Sequence, residues 1–268
     1  VVFHTASPFT SNFIDAQKDL VDPALKGTKN VLLLVNETPS VKRVVLTSSV
    51  AAIYGDNADL QSYPDNALKE DRWNQTSTLN HNPYAYSKTV AEKEAWKINE
   101  QQATWDLVTI NPSLVLGPGL SSMNTSESYT IVKNIGSGKL KLGIPDWQFG
   151  IVDVRDVADA HIKAAFLSTA KGRYIVSGHD SSLMGIADEL RPKYGSYPLP
   201  GSTLPKFLVW LFGPLVDKNT TRKSVSNNVG YPMKIDNSKS IKELGVKYRP
   251  LGESVTEFFQ QMIDDKVL

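Results

Sequence analysis

Val41-Lys42-Arg43-Val44-Val45-Leu46-Thr47-Ser48-Ser49 is a β-branched apolar run that closes on three hydroxyls. A strand apolar without alternation is buried on both faces, as strands of a parallel sheet are. Outward from it, strands and helices take turns. A strand is predicted over Val1 to Thr5, a helix from about Asp15 to Val35, and the quoted strand over Val41 to Ser48. A helix follows from Pro83 to about Gln101, then a strand over Trp105 to Leu116. That alternation implies a parallel sheet wound with helices. Ligands of open α/β sheets collect beyond the carboxyl ends of the strands, which puts Ser48 and Ser49 where a small molecule would sit.

Thirty-five residues after Ser49 comes Tyr84-Ala85-Tyr86-Ser87-Lys88. Asn82-Pro83 supplies a helix start and Thr89 to Trp96 continues it, so Tyr84 and Lys88 lie one turn apart on one face. A tyrosine titrates near pH ~10 when unperturbed, and a nearby ammonium lowers that value by favouring the phenolate. The pair is therefore read as a tuned proton-transfer site for carbonyl chemistry. Tyr129-Thr130-Ile131-Val132-Lys133 has the same spacing but no strand ending in serines before it, and is set aside.

These residues resemble the extended branch of the short-chain dehydrogenase/reductases, in particular the dihydroflavonol reductase, cinnamoyl-CoA reductase and yeast methylglyoxal reductase group. The stretches that carry the likeness are His4 to Phe9, Asp22 to Thr28, Arg43 to Ser49, Tyr84 to Trp96, Asn111 to Pro118 and Val152 to Ala158. The resemblance implies a Rossmann-like, doubly wound parallel sheet with a smaller, discontinuous substrate-binding lobe. Residues 1–118 and 149–171 would form the cofactor domain, and 119–148 with 172–268 the lobe. The family's opening strand, glycine-rich turn and helix have no counterpart before Val1. At ~30 residues per βαβ unit, roughly 60 or more are expected to be absent, and the chain alone is expected to bind NADPH weakly or not at all and to tend to aggregate.

By the same resemblance Tyr84 donates a proton to the substrate oxygen, Ser49 hydrogen-bonds that oxygen, and Lys88 lowers the tyrosine's pKa and binds the nicotinamide ribose. Strand alternation sends Ser48 and Ser49 to opposite sides, and the resemblance favours the second. Thr5, Ala6, Ser7, Thr47, Pro112, Ser113, Leu114 and Val115 join Tyr84 and Lys88 as cofactor contacts, with a structural role as the simpler reading of Thr47. Phe9, Val50 and Leu114 would flank the substrate. The implied activity is NADPH-dependent reduction of aldehydes or ketones, NAD not being excluded. Its rivals are an epimerase, dehydratase or hydroxysteroid dehydrogenase of the same branch, and a non-catalytic binding protein.

Composition narrows the partners. The chain has 268 residues, 41% of them hydrophobic, enough for a large core. Its 29 basic and 28 acidic residues leave a net charge of +1, which gives no electrostatic reason for a nucleic acid or anionic membrane partner. A small carbonyl compound fits better. The absence of cysteine rules out disulfides, thiolate metal sites and a thiol nucleophile, and suits a reducing, cytoplasmic setting. His4, His81, His161 and His179 show no metal-ligand spacing, so no metal is expected. Asp153, Arg155 and Asp156 read as caps and anchors at a helix start. The apolar run Leu204 to Val216 is too short to span a bilayer and is predicted to be a packed helix, with a hydrophobic wall of the substrate pocket or a membrane-surface contact as the alternative.

Overall fold

The structure is a computed structural model and describes residues 1–7, 13–120, 126–217 and 220–268. Strand β1 (Val2–His4) is followed by a short π-helical turn, Gln17–Val21, that runs into helix α1 (Asp22–Asn36). Pro23 stands in the first turn of α1, where its missing N–H costs nothing. Strand β2 (Arg43–Thr47) is the quoted run, and helix α2 (Pro83–Glu100) starts at the predicted Asn82-Pro83.

The expected strand Trp105 to Leu116 divides into β3 (Asp106–Pro112) and β4 (Leu114–Leu116), which pair in different sheets. Pro112, with no N–H, and Ser113 stand at the switch. Helix α3 (Glu127–Gly136) and strands β5 (Ile144–Pro145) and β6 (Gln148–Asp153) lead to helix α4 (Val154–Phe166) and strand β7 (Gly172–Val176). The remainder is β8 (His179–Ser182), α5 (Leu183–Tyr194), β9 (Thr203–Leu204), α6 (Lys206–Val216), α7 (Arg222–Asn228), α8 (Ser238–Leu244) and α9 (Leu251–Asp264).

The main sheet has the order β1-β2-β3-β7, all parallel, with Val45 opposite Phe3 on one side and Val108 on the other. It is covered twice, as the apolar run requires. Leu32 and Val35 of α1 and Ala95 and Ile98 of α2 meet Val44, Leu46 and Leu107 on one face. Ala160 and Ala164 of α4 and Leu244 of α8 meet Val45, Val108, Ile110 and Tyr174 on the other. Because β7 belongs to this sheet, the sheet runs past the expected boundary at 171/172. A second sheet, β4-β6-β8, and helices α3, α5 and α9 enclose a separate core around Phe258 and Phe259.

Helix α6 departs from expectation. Only Val209 is buried, while Phe207 is 67% and Leu215 82% exposed. The helix is apolar all round and packs through Val209 on a small cluster with Val225 and Val229, while Arg222 of α7 lies over its Trp210 ring and Lys206 bonds the Ser226 carbonyl. No helix among the described residues is long and apolar enough to cross a membrane.

Candidate active site

The hydroxyl run at the end of β2 is sorted by the pleat. Thr47 hydrogen-bonds His161 of α4 at 2.7 Å, on one side of the sheet. The His161 Nδ1–H donates to the Val157 carbonyl, so Nε2 accepts from Thr47, and burial pushes the imidazole pKa down, favouring the neutral ring this needs. The Thr47 side chain thus turns toward α4. Ser48 points the other way and donates to Glu92 of α2 at 2.5 Å. Ser49, where the strand ends, hydrogen-bonds Tyr84 and accepts from the Ala51 N–H at 3.1 Å, which starts the tight turn Val50–Ala52. Of the two serines, Ser49 is the one bonded to the tyrosine.

Tyr84 and Lys88 share a face of α2, with the ammonium 5.9 Å from the phenol ring centre. Burial governs both groups. It pushes Tyr84 up to about 12, against the contrary pull of the Ser49 hydrogen bond. It brings Lys88 down to about 8, against the support of Glu92. The lowering of Tyr84 by Lys88 expected from the resemblance is not what this arrangement produces. Two groups under one low-dielectric cover each lose hydration, and that loss sets the direction of both.

Beneath them lies a buried polar node that sequence reasoning missed. Glu92, two turns after Tyr84 on α2, accepts from Ser48, from Asn111 at 2.8 Å and from Arg173 at 2.6 Å. Asn111 also donates to the Ser49 carbonyl at 3.0 Å, which ties the end of β3 to the serine turn. Arg173 lies 3.9 Å under the Trp73 ring centre and donates to the Glu70 and Arg72 carbonyls. The spacing 84, 88, 92 was the one available signal, since it continues the same helix face.

Ala6, Ser7, Thr47 and Lys88 line a narrow common cleft with Ser48 and Glu92, and Thr28, Leu46 and Ala91 complete it. Most of the residues named are small, and Lys88 is buried among them, 8% exposed. The Ser113 hydroxyl and His4 Nε2 are buried without a hydrogen-bond partner. A buried ammonium among small residues at the strand ends fits the ribose hydroxyls of a nicotinamide dinucleotide. Thr5 lies exposed beside the cleft, and Pro112 is held at the end of β3 opposite Val176. Leu114 and Val115 are half-buried in β4. Val50 packs into the cluster of Ile53, Leu68 and Ile175, and Phe9 lies outside the described residues.

The other features sort plainly. Tyr129 packs edge-on against Phe258 at 4.6 Å while Lys133 is exposed, so the tyrosine of the second Tyr-x-x-x-Lys joins the second core and its lysine faces solvent. Asp153 caps α4 and pairs with Arg155, and Asp156 pairs with Arg249.

The profile of the NAD dependent epimerase/dehydratase family matches residues 1–176, and the chain belongs to that family. Within it, the chain is an NAD(P)-dependent oxidoreductase of the extended short-chain type. It is 33% identical over 267 residues to cinnamoyl-CoA reductase CAD2 of Medicago truncatula, covering 99% of this chain and 74% of that one. It is 35% identical over 283 residues to the ketoreductase azaE of Aspergillus niger, covering 97% and 75%. Among solved structures, yeast methylglyoxal/isovaleraldehyde reductase Gre2 complexed with NADPH superposes with a TM-score of 0.77 at 28% identity, over 99% of this chain and 77% of that one. Candida albicans Gre2 with NADPH gives 0.76 at 30%, over 98% and 76%.

Proposed function

We propose that the protein reduces aldehydes or ketones with NADPH, Tyr84 giving the proton and Ser49 orienting the carbonyl. The observation that carries this is the Ser49–Tyr84 hydrogen bond, made at a strand end with Lys88 one turn along the same helix. NADPH, when bound, supplies the hydride that reaches the carbonyl carbon. Tyr84, held protonated across the neutral range, gives its proton to the oxygen as charge develops there. Ser49 hydrogen-bonds the same oxygen and fixes its line to the phenol. Lys88, cationic below about pH 8, holds the ribose hydroxyls and favours the phenolate left behind. Val50, Leu114 and Phe9 would border the substrate. The lobe assigned to it would comprise 119–148 and most of the chain after β7. Support for NADPH comes from the two Gre2 complexes, and for carbonyl substrates from the reductases similar to this chain.

The test is the Tyr84→Phe variant of the complete protein, followed by NADPH consumption with methylglyoxal, isovaleraldehyde and cinnamoyl-CoA. Removing a general acid costs ~10²–10⁴ in rate, and a loss of that size is expected with the melting temperature unchanged. Retention of the wild-type rate within about threefold, far short of that range, would remove Tyr84 from the mechanism. Tyr129→Phe should be silent.

A further inference from the structure

Asp56 and His81 form a buried pair at the two ends of the long segment between the reactive hydroxyls. His81 Nε2 donates to Asp56 Oδ2 at 2.6 Å, and the side chains are 7% and 3% exposed. Both carboxylate oxygens are engaged further. Asn227 of α7 donates to Oδ2 and Asn228 to Oδ1, each at 2.8 Å. Asp56 stands seven residues after Ser49, and His81 three before Tyr84. One carboxylate therefore joins the serine turn, the entry to α2 and helix α7.

The surroundings hold this junction rigidly. Gly55 offers its carbonyl to the Asn82 side chain at 2.9 Å. A Cβ on Gly55 would stand 2.7 Å from Ser77 Oγ and 2.9 Å from Asn74 Oδ1, so the close approach requires glycine. Asn82, the residue before the first turn of α2, has φ 54°, in the left-handed region. Asparagine tolerates that region better than most residues, but a non-glycine there persists only where neighbours over-determine it, and such residues cluster at functional sites. On the far side, Asn57 donates to the Gln148 carbonyl of β6 at 2.7 Å, and its N–H donates to Asn228 Oδ1 at 2.9 Å.

A buried carboxylate with three donors is a costly way to hold a fold, since an apolar cluster of the same volume is often as stable or more so. Its advantage is directional. Hydrogen bonds fix distance and angle, and a 1 Å misplacement of a reacting group can cost on the order of 10²-fold in rate. The geometry points to Asp56 and His81 as positioning residues that set the Tyr84 hydroxyl against Ser49 and couple that alignment to α7. Neither touches reacting atoms. The inference rests on the reading of Tyr84 as proton donor.

The experiment uses the complete enzyme with methylglyoxal and NADPH, and compares His81→Leu, His81→Gln, Asp56→Asn and Tyr84→Phe. It reads kcat, KM, NADPH dissociation constant and melting temperature. His81→Leu removes the donor and is expected to lower kcat by on the order of 10–10²-fold with NADPH affinity unchanged. His81→Gln, whose amide can still donate to Asp56, should recover most of that loss. Asp56→Asn keeps the packing but leaves three donors facing one acceptor oxygen, and should lower kcat and raise KM even if His81→Leu does not fold. If kcat per folded molecule stays at the wild-type value in Asp56→Asn, and in His81→Leu wherever that variant folds, while only the melting temperature falls, the pair merely holds the fold and the inference fails. An active Tyr84→Phe overturns it together with the reading it rests on. An inactive Tyr84→Phe beside wild-type kinetics in the pair's variants overturns it alone.

Discussion

At the scale of residues, the site is a contest between burial and charge. Lys88 shows the balance, because its ammonium is kept under cover at the cost of hydration, with Glu92 offsetting part of the loss. The native group gives up its proton near pH 8, whereas the unfolded value is 10.5. Between those values the unfolded chain binds more protons, so stability rises with pH across the window, and the full cost of the buried charge is felt below it. Lys88→Met removes that component. In urea denaturation of the cofactor-free protein, the variant should be more stable than wild type at pH 7, with the gap closing as pH approaches 10. A gap that does not change with pH would show that the ammonium is well hydrated in the native state. With the same substitution NADPH should bind less tightly, because the ribose loses its cationic donor.

At the scale of elements, α2 is pinned to three strands through one carboxylate. Ser48 at the end of β2, Asn111 of β3 and Arg173 of β7 all converge on Glu92. Glu92→Gln would leave the Arg173 guanidinium, 8% exposed, without its counter-charge. Breaking a buried pair in this way costs about 3–5 kcal/mol, and chemical denaturation should register a loss of that order. The same substitution withdraws the support that keeps Lys88 cationic, so the alkaline fall of activity should move to lower pH. An unchanged pH profile beside the lost stability would confine Glu92 to holding the fold. The run Leu204 to Val216 teaches a different lesson about elements. Its length and apolar character predicted the helix correctly, but nothing in it says which neighbours exist to cover it. Val209 alone found a buried place.

At the scale of the whole molecule, two cores divide the work. The parallel sheet and its two helical layers place the serine turn and α2, while a second core is built around α3, α5 and α9. Phe259 is its keystone, with ring centres 4.7 Å from Tyr194 and 5.1 Å from Tyr197, and Gly136 of α3 lies close enough that a Cβ there would strike the ring. Phe259→Ala is expected to cost about 3–5 kcal/mol through lost burial and the cavity left behind. If the second core mainly shapes the substrate side, the variant's KM for methylglyoxal should rise while its NADPH affinity holds. Calorimetry of NADPH binding beside the steady-state constants checks both, and an equal loss of both affinities would argue against that division.

The order of strands and helices, the burial of β2 on both faces and the start of α2 at Asn82-Pro83 were all legible in the chain, because each depends on local periodicity, capping and turn chemistry. So was the Tyr84/Lys88 face, since four residues make one helical turn wherever the helix lies. The division of Trp105 to Leu116 into two strands was not, because pairing partners lie far away in sequence. Which serine meets Tyr84, which groups lose their water, and the joining of Asp56 to His81, Asn227 and Asn228 were likewise decided only in three dimensions. Hydrogen bonds between residues as distant as 56 and 228, and desolvation by neighbours from several elements, are set by packing and leave no pattern along the chain.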